Sequence, residues 1–333
     1  MVETALCVFS SPVPPLPPCE TGTAGNAQGS GGRGKKRGVS PPPPRFRTAD
    51  CGETILKPHS QTGDLHNMSG TAIEIKNATL KLEGKEILHS LNWSVNRGEH
   101  WFILGPNGAG KTTLVKMILG LIWPLYGAEI TVLGNRYGTV NLFDVRKKIA
   151  WASPFLQAWT NSVMNSQCTV MDVVLSGIDS TVGFYRKAKP EEIEKASGIL
   201  ELLGALKLAD RAFERVSSGE QVKALIGRTL IADPELLILD ETCVHLDLKS
   251  REILLDSIES IAARSRKTTI LFVTQRLEEI TASFQHGMIL GGGRITAQGK
   301  RSDILTPENL KAAFDIDLKL LPGPGGRLWP LPV

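Results

Sequence analysis

Three short stretches hold residue types that could do chemistry together. Gly105-Pro106-Asn107-Gly108-Ala109-Gly110-Lys111-Thr112 fits the pattern G-x-x-x-x-G-K-[ST]. Glycines let a backbone curl so that successive N–H groups point at one anion. A helix starting at the end of such a loop adds partial positive charge. Lys111 would then reach the β- and γ-phosphates of a nucleotide, and the Thr112 hydroxyl would ligate Mg²⁺. Thr113 would close the set as the helix begins. The other reading of the octet is an ordinary glycine-rich turn before a helix, and the two later stretches tell against it.

The second stretch is Leu236-Leu237-Ile238-Leu239-Asp240-Glu241, an apolar run ending in two acids. A fully buried strand would present both carboxylates at its C-terminal edge, where α/β sheets bind ligands. Asp240 would hold the Mg²⁺ shell. Glu241 would sit beside the γ-phosphate and orient or deprotonate the attacking water. Read alone, such a run is also what a strand ending in a solvated turn looks like. The third stretch is Ser217-Ser218-Gly219-Glu220, ahead of a helix expected from about 222 to 232. Small hydroxyl and glycine residues at a helix N-terminus make a second anion site. One nucleotide does not need two such sites in one chain, but two chains facing head to tail would use both.

Strands and helices must hold these stretches in place. Trp101-Phe102-Ile103-Leu104 reads as a buried strand entering the loop, and Thr113 to Leu119 as the helix leaving it. Alternating Ala72 to Leu80, then 87–95 behind a Glu83-Gly84-Lys85 turn, read as half-exposed strands. Further strands are expected at 129–134, 148–152 and 270–274. Residues from about 155 to 215 read mostly as helix; Pro190 at a first turn followed by acids is the best start signal there.

The chain has 333 residues, 41% hydrophobic and 22% charged, with net charge +4. That charge makes no case for nucleic acid. The longest apolar stretch, Leu114 to Tyr126, is broken by Lys116 and Pro124, so no direct membrane span is expected. Five cysteines without metal-ligand spacing point to a reducing compartment. Residues 1–67 hold ten of the 20 prolines and none of the six tryptophans, and are read as a disordered Pro/Gly-rich extension. They could be a basic tail with a targeting role, an organellar transit peptide that Glu3 and Glu20 fit poorly, or sequence upstream of a start at Met68. Residues 68–333 form the globular part.

The order of these stretches, followed by Leu246-Asp247, resembles an ATP-binding cassette (ABC) ATPase over residues 70–300. Trp93, Gly98-Glu99-His100-Trp101, Ser-Ser-Gly-Glu and Leu305 to Leu310 resemble the bacterial ATPases grouped with molybdate-transport and photorepair proteins. The resemblance implies an α/β fold: a P-loop NTPase cassette with a RecA-like core, a small antiparallel β subdomain and a helical subdomain at about 155–215. It implies ATP and Mg²⁺, and a second cassette, here a homodimer, sandwiching two ATPs. Each ATP would meet one chain's loop and the other chain's Ser217, Ser218, Gly219 and Glu220, with Asp247 coupling the two sites. A permease on separate chains would place the protein in the cytoplasm, at the inner face of a membrane. A non-transport cassette and a slowly hydrolysing switch stay open as other roles. Three positions depart from the family. Leu82 stands where an aromatic stacks on adenine. Pro154 takes the register of a glutamine, with Gln157 three residues on. Gln275 replaces the switch histidine, and an amide cannot take up a proton.

Overall fold

The computed structural model describes residues 70–153, 168–179, 184, 186–244, 246–264 and 267–333. The Pro/Gly-rich extension, Pro154 and Gln157 lie outside the described residues. Two long strands, β1 (Thr71–Leu82) and β2 (Lys85–Asn96), pair antiparallel. Their turn puts Glu83 and Gly84 at φ 52° and 80°, the double left-handed conformation of a two-residue hairpin. β3 (His100–Leu104) runs into the glycine-rich loop, and α1 (Lys111–Ile118) leaves it. β4 (Glu129–Val132) adds to β1, and β5 (Asn135–Arg136) to β4, giving a four-stranded antiparallel sheet ordered β2-β1-β4-β5.

A second sheet carries the site. Its strands are β6 (Ile149–Ala152), β7 (Leu236–Asp240), β8 (Thr269–Thr274), β9 (His286–Gly291) and β10 (Arg294–Lys300), ordered β10-β9-β3-β8-β7-β6. All neighbours are parallel except β10 on β9. Every residue of β6, β7 and β8 is buried, as strands covered on both faces should be. Their side chains alternate between two cores. Phe102, Leu104, Leu237, Leu239 and Phe272 face one, with the buried sides of helices within residues 170–264. Trp101, Ile103, Ile238, Leu271 and Val273 face the other, with α1 and the antiparallel sheet.

Between these strands lie α2 (Leu142–Arg146), α3 (Val170–Leu175), α4 (Pro190–Leu202), α5 (Ser218–Leu230) and α6 (Leu248–Arg264). Within the expected helical region the described residues hold α3, α4 and two 3₁₀ turns at Leu206–Leu208 and Phe213–Arg215, joined by turns and a Thr169–Ala212 bridge. Two helix starts differ from the sequence expectation. α5 begins at Ser218, about four residues early, because Ser217 and Glu220 form a reciprocal capping box. The small residues are thus its cap and first turn, not a loop ahead of it. α1 begins at Lys111 rather than Thr113, because left-handed Gly110 turns the chain in one step.

The chain ends with α7 (Arg301–Ile304), α8 (Pro307–Phe314) and a separate two-stranded hairpin, β11 (Leu318–Pro322) with β12 (Leu328–Pro332). No strand pattern announces that hairpin. Pro322, Pro330 and Pro332 suit only a strand with free edges, which a two-stranded ribbon provides. Among the described residues no helix is long and apolar enough to cross a membrane.

Candidate nucleotide site

The glycine-rich loop begins flush against the sheet. A Cβ on Gly105 would lie 2.2 Å from the Leu290 carbonyl oxygen of β9, so only glycine fits the exit from β3. Gly108 and Gly110 take left-handed φ values of 80° and 97°. The turn closes with Ala109 N–H donating to the Pro106 carbonyl at 3.3 Å, and α1 starts with Leu114 N–H donating to Gly110 O at 2.8 Å. Asn107 and Gly108 stay exposed at the loop's tip, while Ala109 and Gly110 are buried at its base.

Lys111 is only 4% exposed. Its ammonium donates to the carbonyls of Gly105 at 2.9 Å and Pro106 at 3.0 Å, and pairs with Glu241 Oε1 at 3.2 Å. The next residue, Thr112, is exposed, and its hydroxyl donates to Asp240 Oδ1 at 3.5 Å. Asp240 itself is buried at the end of β7. Burial first, and the Glu241 charge second, push its carboxyl up to about 6, against the pull of Thr112 and Lys111.

Glu241 reaches Lys111 through an unusual backbone. Its φ is 51°, a left-handed value uncommon for glutamate. Its N–H still donates to Val273 O at 2.9 Å, so the peptide remains tied to β8 while the chain turns. Strained residues of this kind cluster where function fixes a side chain's direction. The register aligns Leu104 with Thr274 and Asp240 with Val273. Half-buried Gln275 therefore leaves β8 between the loop strand and the carboxylate strand.

The structure thus brings Lys111, Thr112, Asp240 and Glu241 into contact, and sets Gln275 on the same sheet edge. Ser217, Ser218, Gly219, Glu220 and Asp247 form a second cluster. No hydrogen bond or ion pair among the described residues joins them to the loop. Ser217 N–H and hydroxyl donate to Glu220 Oε2 at 2.9 and 3.0 Å, and Glu220 N–H returns a bond to Ser217 Oγ at 3.4 Å. The backbone N–H of Ser217 is the main cause that lowers the Glu220 carboxyl below the usual range. Gly219 lies against α6: a Cβ there would be 2.8 Å from Ser250 Cβ. Ser250 in turn donates from N–H and hydroxyl to Asp247 at 2.9 and 2.8 Å, which holds that exposed carboxylate low. Ser217 and Ser218 remain exposed above this base.

One buried acid escaped the sequence reading. Glu279 is 4% exposed, just past Gln275, and accepts the Thr274 hydroxyl; the Arg276 N–H donates to Thr274 Oγ1 at 3.0 Å. Burial pushes the Glu279 carboxyl up. In sequence, Glu278-Glu279 looks like solvated surface charge, and only the threonine ending a buried strand hints otherwise. Leu82, 41% exposed, lies at the tip of β1 beside the hairpin turn.

This geometry can be set beside known proteins. The family described as ABC transporter matches residues 88–244. The chain is 40% identical over 250 residues to the uncharacterized ABC transporter ATP-binding protein YlmA of Bacillus subtilis, covering 75% of this chain and 93% of YlmA. It is 34% identical over 216 residues to the ABC transporter ATP-binding protein ModF of Escherichia coli, covering 64% of this chain and 43% of ModF. In fold it is similar to the ADP conformation of MJ1267, an ATP-binding cassette of an ABC transporter, with TM-score 0.62, 20% identity, and coverage of 74% of this chain and 99% of that one. The loop, the capped serine helix and the acid pair follow one another along the chain, the loop and the acids meet at one sheet edge, and the likeness to YlmA spans nearly all of that protein. The chain therefore belongs to the ATP-binding proteins of the ABC transporter family and is an ABC-type ATPase.

Proposed function

We propose that the chain binds MgATP at residues 105–113, pairs head to tail with a second copy, and uses the hydrolysis to drive a membrane transporter whose permease is on separate chains. The carrying observation is the Lys111 ammonium, buried between two loop carbonyls and Glu241, with Thr112 and Asp240 alongside. The descriptions of YlmA and ModF as ABC transporter ATP-binding proteins support the transport role. Work on a permease would hold the protein at the inner face of a membrane.

On this reading the triphosphate enters the curled loop, and Lys111 exchanges its carbonyl contacts for β- and γ-phosphate oxygens. Thr112 and buried Asp240 are oxygen donors of the kind a hard divalent cation prefers, so they would hold Mg²⁺, which neutralises charge on the phosphates. Glu241 takes a proton from water as the water oxygen bonds to the γ-phosphorus. The bond from that phosphorus to the β–γ bridging oxygen breaks, and ADP leaves with the electron pair. Gln275 hydrogen-bonds the γ-phosphate; the role expected of Gln157, toward the metal or the water, falls outside the described residues. Ser217, Ser218, Gly219 and Glu220 of the second copy cap the γ-phosphate, and Asp247 couples the two sites. Leu82 gives apolar contact to the base. All of this chemistry falls within residues 68–333, with residues 1–67 outside it.

Asp240→Asn separates the metal role from a merely structural one. Without nucleotide, a buried carboxylate whose folded value of about 6 exceeds the ordinary 3.8 costs stability above pH 6. The gap of 2.2 corresponds to about 3 kcal/mol. The folded state binds the extra proton, so stability falls as pH rises from about 4 to about 6. Asp240→Asn should therefore raise the melting temperature at pH 7.5 by about 5 °C, and by less at pH 5.0. Saturating MgATP should stabilise wild type and fail to stabilise the variant. Equal MgATP stabilisation of both would remove Asp240 from the metal site.

Glu241→Gln should block hydrolysis while phosphate contacts persist, so ATP should move the protein from monomer to dimer in size exclusion. A monomer at every concentration would contradict self-pairing. Gln275→His should raise the single-turnover hydrolysis rate by about 10²-fold at similar ATP affinity, because an imidazolium offers charge that an amide lacks. Equal rates would show that Gln275 handicaps nothing.

A further inference from the structure

The C-terminal hairpin lies outside the nucleotide chemistry, yet its turn is fastened to the segment that follows Gln275. Arg327, at the foot of β12, donates from Nη1 to the Glu278 carbonyl at 3.3 Å and from Nη2 to Glu252 on α6. Its side chain is 14% exposed, and its guanidinium lies 5.0 Å from the Trp329 ring centre. A second arginine repeats the pattern. Arg301 donates to the carbonyls of Thr281 at 3.0 Å and Ile280 at 3.4 Å, and to the Gly326 carbonyl in the hairpin turn. Three carbonyls just past Gln275 are thus held by two arginines, both tied to one turn.

Side-chain packing does not do this holding alone. A cavity of about 250 Å³ separates the hairpin from the same segment, lined among others by Gln275, Leu277, Phe314, Leu318 and Pro330. Beside such a void the backbone has room to shift, and the arginine bonds restrain it. A charged donor shared between a carbonyl and a carboxylate is among the stronger hydrogen-bond arrangements. It is also directional, since a guanidinium fork fixes both partners in one plane.

The carboxylate end of the fork matters as much. Glu252 sits in the second turn of α6, whose first turn carries Ser250 and is capped by Asp247. Arg327 therefore links the Gln275 segment to the helix that positions Asp247 and backs Gly219. We propose that the C-terminal hairpin is a clamp that fixes Gln275 relative to α6, and that Arg327 is a positioning residue for hydrolysis. This rests on the role given to Gln275 above. Small misplacements of a group facing the reacting centre cost rate without costing binding.

The test uses the full chain and the variants Arg327→Met, Arg327→Lys and Glu252→Gln. Two readouts are taken: steady-state ATP hydrolysis, and hydrogen–deuterium exchange of residues 275–281. Arg327→Met should lower kcat by about ten-fold while KM for ATP changes less than about two-fold. Amides at 275–281 should exchange faster. Arg327→Lys, which keeps the charge but loses the fork, should restore part of both. Glu252→Gln, at a half-buried position of α6, should move both readouts the same way, and the double variant should be no worse than Arg327→Met alone. Faster exchange confined to 318–333 with unchanged kcat would overturn the clamp and leave the hairpin a passive ornament. Absent turnover in wild type would instead count against the hydrolysis reading, and exchange at 275–281 would still decide the clamp.

Discussion

The structure depends on holding one ammonium group nearly out of water. Burying an unpaired charge costs several kcal/mol, so Lys111 is tolerable only with acceptors around it. Gly105 and Pro106 supply two carbonyls, and Glu241 supplies a carboxylate. Each demand propagates. The carbonyls point inward only because the loop curls through left-handed Gly108 and Gly110. The carboxylate arrives only because Glu241 accepts a left-handed backbone at the end of β7. Asp240, one residue back, then sits buried beside a second acid, and burial first and that acid second raise its proton affinity. A doubly charged cation there would relieve that strain, and a polyanion would give Lys111 new acceptors. The site is therefore held together by contacts that a metal-bound triphosphate is suited to replace.

The sheet makes this possible by strand register rather than by loop design. β3, β7 and β8 are buried on both faces, so a slip of one residue would send Phe102 or Leu239 into the wrong core. That same register fixes which residues emerge at the C-terminal edge. Packing deep in the sheet thus sets where Gly105, Gln275 and Asp240 stand. Gly287 shows how tight this packing is: a Cβ there would fall 2.2 Å from the Phe102 ring.

Much of this was legible in the residues. The loop and the acid pair carry their chemistry in contiguous stretches, and continuous apolar runs at 101–104, 236–239 and 270–273 announce doubly covered strands. What stayed hidden depends on conformation or on distant partners. The helix after Gly110 starts two residues early because the glycine itself caps it, and α5 starts early because Ser217 and Glu220 cap each other; apolar periodicity sees neither. The packing of Gly219 on Ser250 joins residues 31 apart, and no local pattern records it. Glu279 passes for surface charge until β8 is seen to end beneath it. The proline-rich hairpin violates strand preference and is held by Arg327 and Arg301 instead.

The two clusters on one chain differ in state. The loop cluster has its cation and its acids in mutual contact, whereas Ser217 and Ser218 stand exposed on a hydrogen-bonded base of Gly219, Ser250 and Asp247. The central claim is that Lys111 is the charge around which nucleotide binding is organised. Isothermal titration of MgATP into wild type and Lys111→Ala, each checked as folded by circular dichroism, tests it most directly. The account predicts saturable binding to wild type and no measurable heat with the folded variant. Near-equal affinity for both would contradict it.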